Sequence, residues 1–358
     1  MVVPNYNGAD TIALCLEALL ASDYGDFEVV VVDDGSSDAS VQLIESFVGR
    51  HSDRLQSSPF RLLRMPGRCG AAAARNAGAA EAGGKFLFFI DADCVVTPRT
   101  LALAAETALN SPQGVVVGGT YTPHPFDSGF YSLFQSVFIH HFEVKRVDNP
   151  DYVASHALLI SAAAFRSSGG FPQNFMPIIE DVEFSHRLRR QGHLLRMEPK
   201  ITVRHIFNYD LKRSLANARR KAHYWTIYSL GNHDLLSDSG TASRELKFNV
   251  LAFVLGVVMP LVLLFPAALA APGSPSLFSR PLAGTPALWL LPGFSLAVQV
   301  LNLLVQRGLL SAFARTGGSV FALKATLYYL YLYPLPVGWG GVEGLAAHLL
   351  RRIRHGFR

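Results

Sequence analysis

From Phe248 to Ala271 the chain runs for 24 residues without a charged side chain, and from Pro286 to Gln306 for another 21. A helix of about 20 apolar residues crosses the hydrocarbon core of a bilayer, so both runs are long enough to span. The charge distribution marks the same boundary. Met1–Lys247 holds 24 Lys and Arg against 26 Asp and Glu, whereas Phe248–Arg358 holds 8 against the single acid Glu343. Only 16% of the 358 residues are charged and 50% are hydrophobic, against roughly 25% charged in a typical soluble domain. So much apolar content excludes intrinsic disorder. The basic excess lies beside apolar runs, so no nucleic-acid partner is expected. The expectation is a water-soluble front half followed by a membrane region at 248–358.

A third apolar stretch, 319–341, contains Lys324, Pro334, Pro336 and the run Tyr328-Tyr329-Leu330-Tyr331-Leu332-Tyr333. Aromatic residues of this kind favour the membrane interface. Two spans with a cytoplasmic front half put the 272–285 loop outside, and Arg307, Arg315 and both termini inside. A third span would carry Arg351, Arg352, Arg354 and Arg358 outside, against the positive-inside rule. The stretch is therefore expected to be re-entrant or interfacial, with a third span as the alternative. Ahead of the spans, 208–247 carries Lys212, Arg213, Arg219, Arg220 and Lys221 among Tyr224, Trp225 and Tyr228, the pattern of a helix lying on anionic membrane lipids. Cys15, Cys69 and Cys94 lack metal-type spacing and suggest no disulfide framework. No leader-like basic segment precedes Pro4. Together these features predict a multi-pass cell-membrane protein with a cytoplasmic front half.

Residues 1–207 alternate short apolar runs with helical patterns. Strands are predicted at Glu28–Val32, Phe60–Arg64, Lys85–Ile90 and Val115–Val117, and helices at Ala9–Ala21, Ser37–Val48, Ala71–Ala82 and Pro98–Asn110. Ser36 and Ser37 are expected to cap the second helix. Alternating strands and helices indicate βαβ units, and uninterrupted apolar strands fit a sheet covered on both faces. The fold class is α/β: a Rossmann-like, mainly parallel mixed sheet flanked by helices, followed by an α-helical membrane region. The first strand is expected to end before Pro4, which leaves it stunted or missing its start.

Ligands of such sheets bind beyond the carboxyl ends of the strands. The polar clusters Pro4–Asn7, Asp33–Ser36 and Asp91–Asp93 fall there. Asp91 and Asp93, one residue apart after an apolar strand, offer hard oxygen ligands for Mg2+ or Mn2+. Such an ion would neutralise a diphosphate leaving group.

The order and spacing of several segments over residues 2–206 resemble glycosyltransferase family 2, which has the GT-A fold. They are Val3-Pro4-Asn5-Tyr6-Asn7, Val31–Asp38, Gly70–Gly78 with Ala74-Arg75-Asn76-Ala77-Gly78, Phe89–Asp93, Gly169-Gly170-Phe171, and Glu180–Ser185 with Arg187-Leu188. The resemblance implies that Pro4, Tyr6 and Asn7 line a nucleotide pocket, and that Asp33 meets the base while Asp34 supports the turn, or the two exchanged. It places Arg75 and Asn76 near the nucleotide or diphosphate, and Asp91 on the ribose or the water shell of the metal. Asp93 and His205 would bind the metal, and Gly169 and Gly170 would underlie the donor sugar. Asp181 would be the general base, with Glu180 beside it. His156 has no matching motif and stays unassigned.

The function so implied is inverting transfer of a sugar from a nucleotide-diphosphate donor to a lipid-linked or other membrane-presented glycan acceptor, in cell-envelope glycan or glycolipid synthesis. A processive polysaccharide synthase is the alternative enzyme, but the Q-x-x-R-W motif of such synthases is missing here. A non-catalytic nucleotide-sugar-binding scaffold is the alternative of another class. Arg75 as a solvated helix charge, and Asp33 or Asp34 as a helix cap, are the blander readings of those residues.

Overall fold

The structure is a computed structural model that describes residues 1–55, 59–112, 114–173, 175–263 and 286–354. Two compact units emerge, Met1–Ser214 with Ser239–Thr241 and Leu215–Asp238 with Ala242–Arg358.

The first unit is built on an eight-stranded sheet. Its strands are β1 (Val2–Asn5), β2 (Val29–Asp33), β3 (Phe60–Arg64), β4 (Phe86–Phe89), β5 (Cys94–Val96), β6 (Val116–Tyr121), β7 (Leu158–Ser161) and β8 (Leu195–His205). Their order across the sheet is β3-β2-β1-β4-β7-β6-β8-β5. The β3, β2, β1 and β4 side is parallel. Beyond it β7 runs antiparallel to both β4 and β6, and β5 antiparallel to β8. The helices that cover the sheet include α1 (Ile12–Leu20), α2 (Ser40–Arg50), α3 (Ser52–Leu55), α4 (Ala71–Glu81), α5 (Thr100–Asn110), α6 (Phe130–Glu143), α7 (Ala162–Ser167) and α8 (Glu180–Arg190). Every residue of β1, β2 and β6 is buried, as expected for strands covered on both faces. Gly78 lets α4 close onto β1 and β2: a Cβ there would lie 2.5 Å from Val2 and 2.9 Å from Val32.

Two local expectations fail. The first strand does not stop before Pro4; Pro4 is its third residue, in register with Val32. The missing amide of proline is tolerated where no ladder partner waits for it. Val2 accepts from Ile90 on the β4 side, and alternation points Pro4 to that same side, where β4 pairs with β1 only at Val2. Nor do Ser36 and Ser37 cap a helix, since α2 starts at Ser40. The Ser36 hydroxyl instead accepts from the Asn7 amide at 2.8 Å. The Asp38 carboxylate takes the amides of Ala9 and Ser40, both at 3.0 Å. These groups tie the loop after β1 to the loop after β2.

The second unit is helical. It contains most of α9 (Leu211–Asn232) and α10 (Arg244–Phe253), which continues through a π turn at Val254–Val258 to residue 263. α11 (Pro286–Leu327) is interrupted at Gly318 (φ 76°, ψ 179°). A second π turn, Tyr328–Leu332, leads into α12 (Pro334–Arg354). The stretch 319–341 is thus helical along nearly its whole length, and the bend precedes it. Arg244–Leu263 and Leu290–Ile353 are long and apolar enough to cross a membrane, and only 28% and 22% of their most apolar windows are buried. Leu261, Leu290, Leu296 and Leu323 project outward with 63–70% exposure, unlike the core helices of a water-soluble protein. The predicted run 264–271 and loop 272–285 lie outside the described residues.

Amides hold these helices together. In the π turn the Tyr333 amide goes to the Tyr328 carbonyl at 2.8 Å. The next amide in the series would come from Pro334, which has none, so the Tyr329 carbonyl needs an outside donor. Asn249 Nδ2 supplies it at 2.8 Å. Asn302 Nδ2 donates to Asn249 Oδ1 at 2.8 Å, Gln306 Nε2 to Asn302 Oδ1 at 3.2 Å, and the Tyr329 hydroxyl to Gln306 Oε1 at 3.2 Å.

Candidate active site

The loops after β1 and β2 meet at a set of buried polar groups. Asp33 accepts from Asn5 Nδ2 and from the Ser36 amide, each at 3.0 Å. Asp34 accepts the amides of Cys69 and Gly70 at 2.7 and 2.8 Å, and so fixes the loop that enters α4. Both carboxylates are 3% exposed, and neither caps a helix. Asn7, at φ 50°, accepts from the Ser37 amide at 2.8 Å. Tyr6 is 40% exposed and carries the Arg68 guanidinium over its ring at 4.3 Å. Pro4 is buried within β1. Tyr6, Asn7 and Arg68 are exposed members of this set.

Arg75 is no solvated charge. Its side chain is 4% exposed and bridges Asp91 at 2.6 Å and Glu180 at 2.7 Å. The bridge joins α4, the loop after β4 and the start of α8. Burial would raise the Asp91 carboxyl, but the Arg75 guanidinium outweighs it and holds the group below its ordinary value. Asn76, expected near the nucleotide or diphosphate, binds the backbone of Phe171. Its Nδ2 donates to the Phe171 carbonyl and its Oδ1 accepts the Phe171 amide, both at 2.8 Å. That clamp fixes the Gly169-Gly170 turn, whose φ values of 83° and 69° suit glycine. Arg187 closes the turn from α8 by donating to the carbonyls of Ser168 and Gly170.

Asp181 stands in the first turn of α8 with Glu180 and Glu183. Val182, Phe184 and Leu188 anchor the helix in the core. The Asp181 carboxylate accepts the Ser155 amide at 3.3 Å and the Val182 amide at 2.9 Å. Burial first, and then the neighbouring charge of Glu180, push its carboxyl up to about 6, against the pull of Arg75. A carboxylate poised near neutrality suits a general base.

The antiparallel register of β5 and β8 sets Cys94 opposite His205. Asp93 Oδ2 lies 3.4 Å from His205 Nε2, and Asp93, Cys94 and His205 place their ligand atoms within 4.8 Å of one another. His205 is held by stacking on Phe207, with ring centroids 3.9 Å apart at 17°. The donor set fits a hard divalent cation through the carboxylate and the imidazole. Burial pushes the Cys94 thiol well above its ordinary pKa.

Spacing missed one feature. His156 lies flat on Tyr121, centroids 3.9 Å apart at 23°, and Tyr121 meets His205 edge-on at 5.0 Å. The partner of His156 is Glu143, the last residue of α6, at 3.5 Å. The available signal was a lone carboxylate closing a helix rich in apolar and aromatic residues.

A mixed sheet thus carries acidic groups at its strand ends, a carboxylate that opens a helix and a carboxylate–imidazole pair. Residues 1–164 match the family model for glycosyl transferase family 2, and the chain carries a glycosyltransferase family 2 domain over that segment. The glycosyltransferase GlyG of Streptococcus pneumoniae is 30% identical over 131 residues, covering 37% of this chain and 42% of that protein. The pre-mycofactocin glycosyltransferase of Mycobacterium tuberculosis is 32% identical over 240 residues, covering 63% of this chain and 45% of that protein. The chain thus spans less than half the length of these two relatives. A mannosyltransferase from Pyrobaculum calidifontis, solved with GDP-Man and Mn2+, matches 98% of this chain and 86% of its own with a TM-score of 0.55 at 17% identity. That likeness establishes the GT-A fold.

Proposed function

We propose that the protein is a membrane-anchored, metal-dependent, inverting glycosyltransferase. It moves a sugar from a nucleotide-diphosphate donor to a lipid-linked or other membrane-presented glycan acceptor, in cell-envelope glycan or glycolipid synthesis. The observation that carries this reading is Asp181, a partly buried carboxylate in the first turn of α8 that accepts the Ser155 and Val182 amides and that burial and Glu180 push up toward neutrality. A sugar hydroxyl is a poor nucleophile, and a positioned base contributes roughly 10²–10⁴-fold to its attack. Asp181 takes the hydroxyl proton as the acceptor oxygen attacks the anomeric carbon and the bond to the diphosphate breaks. One base without a second nucleophilic carboxylate gives a single displacement and hence inversion. Asp93 and His205 would hold Mg2+ or Mn2+, whose charge offsets that of the departing diphosphate. Arg75 keeps Asp91 ionised and in place, and the Asn76 clamp sets the Gly169-Gly170 turn under the donor sugar.

The apolar windows of 244–263 and 290–353 support multi-pass anchoring, with the catalytic unit cytoplasmic and α9 and α12 near the lipid surface. A cysteine at Ser276 should label from outside and one at Ser311 from inside; labelling of both from one side refutes that topology. The activity test is release of nucleoside diphosphate by detergent-solubilised protein from a panel of nucleotide sugars, with and without polyprenyl-phosphate acceptors. Acceptor-stimulated, metal-dependent turnover is expected. Tight nucleotide binding without turnover on any donor would favour the scaffold alternative.

A further inference from the structure

Glu143 and His156 form a buried pair beside the site. Their side chains are 5% and 7% exposed and lie 3.5 Å apart, Oε2 to Nε2. Thr120 Oγ1 donates to the same carboxylate oxygen at 2.8 Å, and Tyr121 covers one face of the imidazole. A buried carboxylate stays ionised only beside a cation or a full set of donors. Glu143 has one hydroxyl donor, and the His156 imidazole 3.5 Å away is the group placed to supply a cation beside it. His156 also belongs to the short turn Ser155–Ala157, whose first amide binds Asp181 Oδ2 at 3.3 Å.

We propose that Glu143 and His156 form a positioning pair for Asp181: the carboxylate keeps the imidazole cationic, and the cation anchors the turn that binds Asp181 while favouring its ionised form. The proposal rests on Asp181 being the base. The groups that face His156 are Glu143 from α6, Tyr121 from β6, Asp91 after β4 and Asp181 from α8. Those that face Asp181 are Glu180 on its own helix, Arg75 from α4 and His156. Burial would lower the His156 pKa, and Glu143 first, with Asp91 and Asp181 behind it, more than offsets burial, so the imidazole is held above its ordinary value. Burial and Glu180 push Asp181 up, while Arg75 and His156 pull it down. Removing the imidazolium therefore moves Asp181 further up.

The test is kcat against pH from 5 to 9, at saturating donor and acceptor, for the parent, Glu143→Gln, His156→Gln and the double variant. The parent should show an acidic limb near the Asp181 value of about 6. In the variants the limb should rise by about one pH unit, which lowers the rate about eightfold at pH 5.5 and hardly at pH 8.5. The donor KM should stay within about twofold of the parent value. Each single variant leaves one charge buried alone and should unfold more easily, whereas the double variant leaves none and should keep most of the parent stability. A folded double variant whose limb stays at the parent pH overturns the proposal, as does a loss of kcat equal at every pH. Failure of the base assignment looks different: Asp181→Asn would then transfer at the parent rate.

Discussion

Replacing Asp181 by asparagine should stabilise the fold while abolishing turnover. The Asp181 carboxyl is pushed from its ordinary 3.8 up to about 6, by burial first and by Glu180 second. Between those two values the native state binds more protons than the unfolded chain, so stability falls as pH rises through that window and stays reduced above it. Two pH units correspond to about 3 kcal/mol. Asp181 is only partly buried, and it gains some attraction from the positive end of α8. Together these trim the net gain of the asparagine variant to about 1–2 kcal/mol at pH 7.5. The two amides bind different carboxylate oxygens, Ser155 to Oδ2 at 3.3 Å and Val182 to Oδ1 at 2.9 Å, so asparagine keeps an acceptor for one of them only, and losing the longer contact holds the gain at the lower end of that range. At pH 4.5 native Asp181 is already protonated while the unfolded chain is mostly ionised, and the gain should shrink to about a third. The assay is denaturant unfolding of the detergent-solubilised parent and variant at both pH values, beside single-turnover transfer, where the variant should lose about 10²-fold or more in rate. A variant no more stable than the parent at pH 7.5, or equally stabilised at both pH values, would refute the claim that the ionised carboxylate is strained in place.

Asp93→Ala should lose turnover and metal-dependent nucleoside-diphosphate binding together, and His205→Ala should lose less of both. Full activity in excess chelator would exclude a metal role for the pair. Arg75→Met leaves Asp91 and Glu180 without their shared cation and should cost about 3–5 kcal/mol, read as a lowered denaturation midpoint; a cost under about 1 kcal/mol would mean that other groups compensate the two acids. Asn249→Leu orphans the Tyr329 carbonyl and should cost the helical unit about 1–3 kcal/mol in detergent, and an unchanged midpoint would argue that the carbonyl finds another donor.

The parts of the site legible in the sequence were those that one strand end or one helix start places by itself. Val29–Val32 had to be a covered strand, so Asp33 and Asp34 had to emerge at its end. Phe86–Phe89 did the same for Asp91 and Asp93. Hydrogen-bond partners across loops were not legible. Ser36 looked like a cap because serine before a helical pattern usually is one, but here its hydroxyl is committed to Asn7, a residue 29 positions away. Asn76 sits one residue from Arg75 on α4, yet helical rotation turns Arg75 toward the acids and Asn76 toward Phe171, 95 positions on. Glu143 and His156 belong to different elements, and only the sheet order that places β7 between β4 and β6 carries the turn ahead of β7 to the end of α6.

The tail poses the same problem in apolar surroundings. Asn249, Asn302 and Gln306 were visible as polar residues in or between charge-free runs, and apolar composition alone gives them no purpose. Each is at most 1% exposed, and a buried amide without partners is costly. The cost is offset only when Asn249 reaches the carbonyl that Pro334 leaves without a donor and Gln306 reaches the Tyr329 hydroxyl. That condition holds for one register of α10, α11 and the π turn, since a shift of one helical turn would separate the partners by 5.4 Å. Greasy anchors with no required alignment would not need it. The helices therefore specify a packed bundle, and substitutions within the amide set should disturb its packing before they disturb its apolar outer surface.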